Sequence, residues 1–207
     1  GFDADKRLVA WKNTSAGQAI IPQVLKRAFG LPGGGPDKTA SEGAFDQAYE
    51  WPAARIAHVN VTLPLQVGFW RAVGHSHQAF FKEGFLDECA HAAAADPLAF
   101  REALLQQHPK QLAVLRAAAQ AAGWGTPSPL YGGVEIVDGQ VQQGNYHDQP
   151  ILRLNEAPRV DTVILPSTEH PEGVGEPGLP PIAPAVANAL FALTGQRLRS
   201  LPLTLSA

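Results

Sequence analysis

The spacing of apolar and polar side chains changes several times along the chain, and each change marks an element. "RLVAWKN" (7–13) predicts a strand, opened by the turn-like "DADK" before it. "AGQAIIPQVLKRAF" has apolar residues at helical spacing, with Pro22 as a kink or register limit. "RIAHVNVTLPL" alternates as a strand does, with Ile56, Val59, Val61 and Leu63 as its apolar positions. A helix is then expected from about His77 to Ala95, with Phe81, Phe85, Cys89 and Ala92 as its apolar stripe and Lys82, Glu83, Asp87 and Glu88 as its polar positions. Asp96 and Pro97 restart a helix as cap and first-turn residue. Pro109 opens the next one and Gly123 closes it.

After Trp124 the texture shifts toward strands. "GGVEIVDGQVQQGNY" predicts a hairpin turning at Asp138-Gly139, and "RVDTVILPS" (159–167) predicts a strand. A closing helix is expected from about Pro181 to Leu198, with Ile182, Val186, Ala189, Leu190 and Leu193 on one face. Strands and helices mixed in this way imply an α/β or α+β fold, a mixed sheet with a hairpin packed against several helices. The hairpin and strand after Leu130 have too little mass for a core of their own, so residues 1–207 are expected to form one domain.

Composition narrows the classes. Of 207 residues, 45% are hydrophobic and 17% charged, which is a core-forming balance. A net charge of −3 gives no reason to expect nucleic acid or an anionic membrane as partner. Cys89 is the single cysteine, so an intrachain disulfide or a cysteine-built cluster is excluded. No apolar run approaches the roughly 20 residues that cross a bilayer, and "GFDADKRLVAW" lacks the pattern of a signal peptide. Met is absent even at position 1, as expected of a processed chain or a segment of something longer.

Candidate chemistry is sparse. "GLPGGGPDKTASEG" lacks the glycine that precedes lysine in a phosphate-binding loop, and no strand leads into it, so it reads as a flexible linker. His75 and His77 in "HSH" lack a third metal ligand at suitable spacing, which leaves capping or core hydrogen bonding as their role and no metal site. Glu176, in "GVGEPGLPP", stands between glycines and prolines directly before a helix. As a first-turn acid it would cap that helix or offset its dipole. As a base it would gain from Gly173 and Gly175, which let backbone and ligand approach closely, and from Pro177, Pro180 and Pro181, which restrict drift.

Three stretches carry a family likeness: 68–105 with "GFWRAVGHSH", 145–158 with "NYHDQPILRLNEAP", and 173–202 with "GVGEPGLPPIAPAVANALFALTG". In this order they resemble the large molybdopterin-binding subunit of the xanthine dehydrogenase/aldehyde oxidase family. The nearest branch is that of isoquinoline 1-oxidoreductase beta subunits and membrane-associated aldehyde dehydrogenases. The chain departs from that pattern where Pro129 runs straight into Leu130, since the family carries a long segment there and a further cofactor-binding half upstream.

The resemblance implies part of a molybdopterin-binding domain, and hydroxylation of N-heteroaromatic compounds or aldehydes with water-derived oxygen. It makes Glu176 the catalytic base and places Trp70, Arg71, Ala72, Gly74, Gly173 and Gly175 beside the cofactor. Trp70 would equally serve as a packed aromatic and Arg71 as the partner of a surface acid. Asn145, Tyr146 and Arg153 would be scaffold in a channel wall. The implied cofactor is molybdopterin as its cytosine dinucleotide, expected in the parent enzyme and not in this fragment. The implied partners are a [2Fe–2S] small subunit and a small-molecule substrate, in a bacterial periplasm or cytoplasm. The competing expectation is a non-catalytic truncated module that keeps the fold and a subunit-interaction surface.

Overall fold

The first strand, β1 (Ala10–Gly17), lies parallel to β2 (Ala53–Asn60) and in register with it, from Ala10 opposite Ala53 to Gly17 opposite Asn60. The computed structural model describes residues 1–33, 37–124, 160–170, 173 and 175–203, with the backbone of 136–137 and 140–141. Parallel neighbours need a crossover, and α1 (Ile20–Phe29) followed by a 3₁₀ turn at Lys38–Ser41 supplies it. Pro22 does not kink α1, because it sits in the first turn, where no intrahelical amide bond is lost.

The described part of the expected linker is folded. Asp37 is buried, and its carboxylate accepts from the amides of Ile20 and Ile21 and from the amide and hydroxyl of Thr39. These are orphan donors of α1 and of the 3₁₀ turn, and such amides need an acceptor. Burial pushes the Asp37 carboxyl up, but the hydrogen bonds from Thr39, Ile21 and Ile20 outweigh it and hold the group below its ordinary value.

Next comes α2 (Val73–Ala93), which starts four residues before the expected His77. Its expected stripe needs correction. Phe81, Phe85 and Ala92 are exposed, whereas Gln78, Phe80, Leu86, Asp87, Cys89 and Ala90 are buried. The reason is that α2 is covered on several sides, by the 3₁₀ turn, by α3 (Pro97–Ala103) and by α5 (Ile182–Thr194). A helix held on several sides has no single apolar stripe.

The core gathers Leu8, Trp11, Leu86, Cys89, Ala90, Phe100 and Leu104. Trp11 stacks on Trp51 with ring centres 4.5 Å apart and meets the edge of Phe85. Asp96 caps α3 by accepting from the Ala99 amide, and Pro97 takes the first position, as expected.

A buried charge cluster fastens α3 to α2. Arg101 donates to Asp87 at 2.8 Å, to Glu83 at 3.0 Å and to the Glu83 carbonyl at 2.9 Å, while Tyr49 donates to Glu83. Asp87, a polar position by helical spacing, is therefore interior because it neutralises Arg101.

The remaining helices follow their punctuation. Pro109 opens α4 (Pro109–Ala121), and Gly123 just beyond it takes a positive φ. The closing helix, α5, stops at Thr194 rather than Leu198, because Gly195 adopts the left-handed cap. Its buried face is Pro184, Ala187 and Leu190, not the expected set, and Ile182 and Leu193 are exposed.

The expected hairpin is present as β3 (Ile136–Val137) antiparallel to β4 (Gln140–Val141), separate from the parallel pair. Its turn, Asp138-Gly139, lies outside the described residues, as do Asn145, Tyr146 and Arg153 and the Pro129–Leu130 junction. The expected strand at 159–167 is not one, since its described residues, 160–167, are irregular and largely exposed. The architecture is α/β, with helices around a small parallel sheet.

Candidate functional site

The start of α2 is an unusual piece of backbone. Ala72 and Val73 both have positive φ, 58° and 39°, a region that side chains with a Cβ rarely occupy. Each such residue costs on the order of 1–3 kcal/mol and persists only where surroundings fix it. The Val73 amide closes on the Trp70 carbonyl, and Ser76 Oγ donates to the Arg71 carbonyl at 2.7 Å. This tight turn presents the Ala72 N–H outward, and Glu176 Oε2 accepts it at 3.2 Å across 104 residues of chain.

Glu176 reaches that amide from a braced segment. Its carbonyl accepts from the Leu179 amide, and the Leu179 carbonyl accepts from Ile182, so turns run from Glu176 into α5. The carboxylate does not cap α5, whose flanking residue Pro181 carries no side-chain cap. It sits instead at the N-terminal end of α2, where a negative charge is favoured by the helix dipole.

Between the two segments lies a cleft of about 640 Å³. Gly43, Ala72, His75, Ala79 and Lys82 line it on one side, and Gly173, Gly175, Glu176, Pro177 and Pro180 on the other. Gly43 has a φ of +85°, and a Cβ there would press to 3.0 Å from the His75 backbone. At Gly173 and Gly175 a Cβ would meet nothing within 4 Å, so their lack of side chains leaves room open.

Four of the seven expected site residues, Ala72, Gly173, Gly175 and Glu176, therefore meet in one place. Trp70 is 78% exposed, Arg71 is exposed as well, and neither lines the cleft. Gly74 faces the other way. It is buried against the 3₁₀ turn, and a Cβ there would fall 2.4 Å from the Thr39 carbonyl oxygen, so it is a packing glycine.

The electrostatics of the cleft come from residues that no sequence motif marks. His75 Nε2 lies 3.3 Å from Asp46 Oδ2, and the Gly43 amide donates to Asp46 Oδ1. Lys82 donates to the Gly43 carbonyl at 3.0 Å, and burial pulls its ammonium pKa down against the opposing pull of Glu83 and Asp46. His77 bonds the Ala40 carbonyl at 2.9 Å. No group of three or more possible metal ligands occurs among the described residues. Residues 72, 75, 79 and 82 share one helical face, a signal readable only once the helix is begun at Val73.

No family model matches the chain. It is 23% identical over 272 aligned positions to the isoquinoline 1-oxidoreductase beta chain of Brevundimonas diminuta, covering 98% of this chain and 35% of that protein. It is 43% identical over 82 residues to the membrane-bound aldehyde dehydrogenase [pyrroloquinoline-quinone] of Gluconacetobacter polyoxogenes, covering 40% of this chain and 11% of that protein. It is 40% identical over 72 residues to a nicotinate dehydrogenase subunit from Pseudomonas putida, covering 34% of this chain and 6% of that protein.

The chain is thus similar to an oxidoreductase beta subunit over nearly its whole length, and to an aldehyde dehydrogenase and a second dehydrogenase subunit over parts of it. It spans about a third of the isoquinoline enzyme's subunit. The 272 aligned positions exceed the chain's 207 residues, so that relative carries segments this chain lacks.

Proposed function

We propose that the chain is the C-terminal part of a molybdenum-dependent hydroxylase that oxidises N-heteroaromatic compounds or aldehydes, with Glu176 as its general base. The observation that carries this reading is the hydrogen bond from the Ala72 amide to Glu176 Oε2 in the wall of an open cleft. That bond engages one carboxylate oxygen, and Oε1, which has no hydrogen-bond partner among the described residues, would accept the proton. The compounds in the relatives' names, isoquinoline, an aldehyde and nicotinate, support these substrate classes.

The residues present fit one side of a molybdopterin cradle, since Gly173 and Gly175 leave open the space that a Cβ would fill. When bound, that cofactor would supply the two-electron chemistry that carboxylate, lysine and histidine side chains lack. Glu176 would hold and move the proton, and the strained Ala72–Val73 turn would keep the amide aimed at it. The dinucleotide form of the cofactor, a [2Fe–2S] partner subunit and the pairing of residues 1–129 with 130–207 in one domain belong to the same proposal. Two of the relatives are named as subunits, which supports a partner. No helix among the described residues is long and apolar enough to cross a membrane.

The decisive experiment is Glu176→Gln in a longer polypeptide that contains the segments the relative carries. Gln keeps size and hydrogen bonding but cannot take a proton, so turnover should fall by about 10²–10⁴-fold or more with melting temperature and molybdenum content unchanged. A variant that turns over normally ends the assignment. The second reading is a non-catalytic module, favoured by the same bond read as a carboxylate that only offsets the dipole at the start of α2. Molybdenum near one per chain in the purified 207-residue protein would support only the first reading; near-absence is expected, and turnover of the longer polypeptide then decides between the two.

A further inference from the structure

One cation on the cleft wall is left with unused donors. An ammonium has three N–H bonds to give. That of Lys82 gives one, to the Gly43 carbonyl, and otherwise lies 5.7 Å from the centre of the Tyr49 ring. The carboxylates around it are already engaged. Asp46 is held by His75 and the Gly43 amide, and Glu83 by Arg101 and Tyr49. Lys82 makes no ion pair within 4 Å among the described residues, yet it is half-buried and lines the same cleft as Glu176. A half-buried charge whose nearest carboxylates are engaged elsewhere and out of contact is incompletely compensated, and it attracts an anion that can reach it.

We propose that Lys82 is the binding point for an oxyanion, a carboxylate or phosphate group, on the ligand that the Glu176 cleft accepts. The inference rests on the cleft being a ligand site and deepens that reading by naming the ligand's charged group. Glu176 and the Asp46–His75 pair keep the rest of the wall from being generally cationic, so the preference is for one anionic group at one end. The cleft volume of about 640 Å³ lies within the range that holds small molecules. Two sources share this chemistry: an acid substrate, and a phosphate of a nucleotide-bearing cofactor.

The test needs neither molybdenum nor turnover, so its failure is distinguishable from failure of the hydroxylase reading. Titration calorimetry on the 207-residue chain would use benzoate, its neutral isostere benzamide, and inorganic pyrophosphate. At least about tenfold tighter binding of benzoate or pyrophosphate than of benzamide is expected, as charge-assisted hydrogen bonds give. Benzoate alone assigns the carboxylate source, and pyrophosphate alone assigns the phosphate source. Lys82→Met should erase the difference and Lys82→Arg should keep it, with circular dichroism confirming that both variants fold. The wild-type comparison stands even if Lys82→Met does not fold. Equal binding of all three probes, no binding of any, or full discrimination in folded Lys82→Met overturns the proposal.

Discussion

Around Trp11 and along residues 160–168 the molecule treats apolar side chains in opposite ways. Trp11 is stacked on Trp51, edged by Phe85 and closed in by Leu8 and Leu86. Val160 and Ile164 stand 82% and 86% exposed, and Val163 and Leu165, which line a shallow pocket with Val114 and Ala118 of α4, are exposed as well. Both regions alternate, and both would pass as strand on pattern alone. The difference is a neighbour. β1 has β2 along eight register pairs, so the backbone groups on that edge are paired and one face can rest on α2. Residues 160–168 belong to no strand. Alternation supplies a face, and a partner turns the face into a strand.

Substitutions can break this contrast at its firm end first. Arg101→Met would leave Asp87 and Glu83 buried without their cation, and about 3–5 kcal/mol of stability should go. Denaturant melts would read it, and a loss under about 1 kcal/mol would show that the cluster is slack. Leu86→Ala, in the fully buried centre, should cost about 2–5 kcal/mol in the same melts.

A pH series tests the Asp37 brace. Its folded-state pKa lies below the unfolded value, so its contribution is complete above about pH 4. That contribution is lost as pH falls through the folded pKa. Melting temperatures of wild type and Asp37→Asn should therefore differ near neutral pH and converge in strong acid, and a constant gap would refute the ionic origin. At the loose end, Ile164→Ser should change stability by no more than about 0.5 kcal/mol. A larger loss would mean that this run packs more tightly than its exposure says.

Element types were largely legible in the sequence, and faces were not. Pro97 and Pro109 act through their own backbone chemistry, so the helix starts there could be read locally, whereas the stop at Gly195 was passed over in favour of the apolar spacing beyond it. The buried face of α2 could not, because Asp87 is interior only through Arg101, which lies fourteen residues away on another helix. The same holds at the site. Glu176 and Ala72 were singled out through family likeness and do line one cleft, whereas Lys82 and His75 join them only when the helix begins at a strained turn that no pattern predicts.

The Glu83 carbonyl accepts from both Arg101 at 2.9 Å and Asn188 of α5 at 3.3 Å. An order of assembly follows. Arg101 is close in sequence and can seat itself early, while Asn188 must wait for more than a hundred residues of loop to close. The last helix is then the last to arrive and the first to leave, and Glu176 rides six residues ahead of it. Amide hydrogen exchange should accordingly run faster in α5 than in the middle of α2, and each excursion of α5 would lift the carboxylate away from the Ala72 amide.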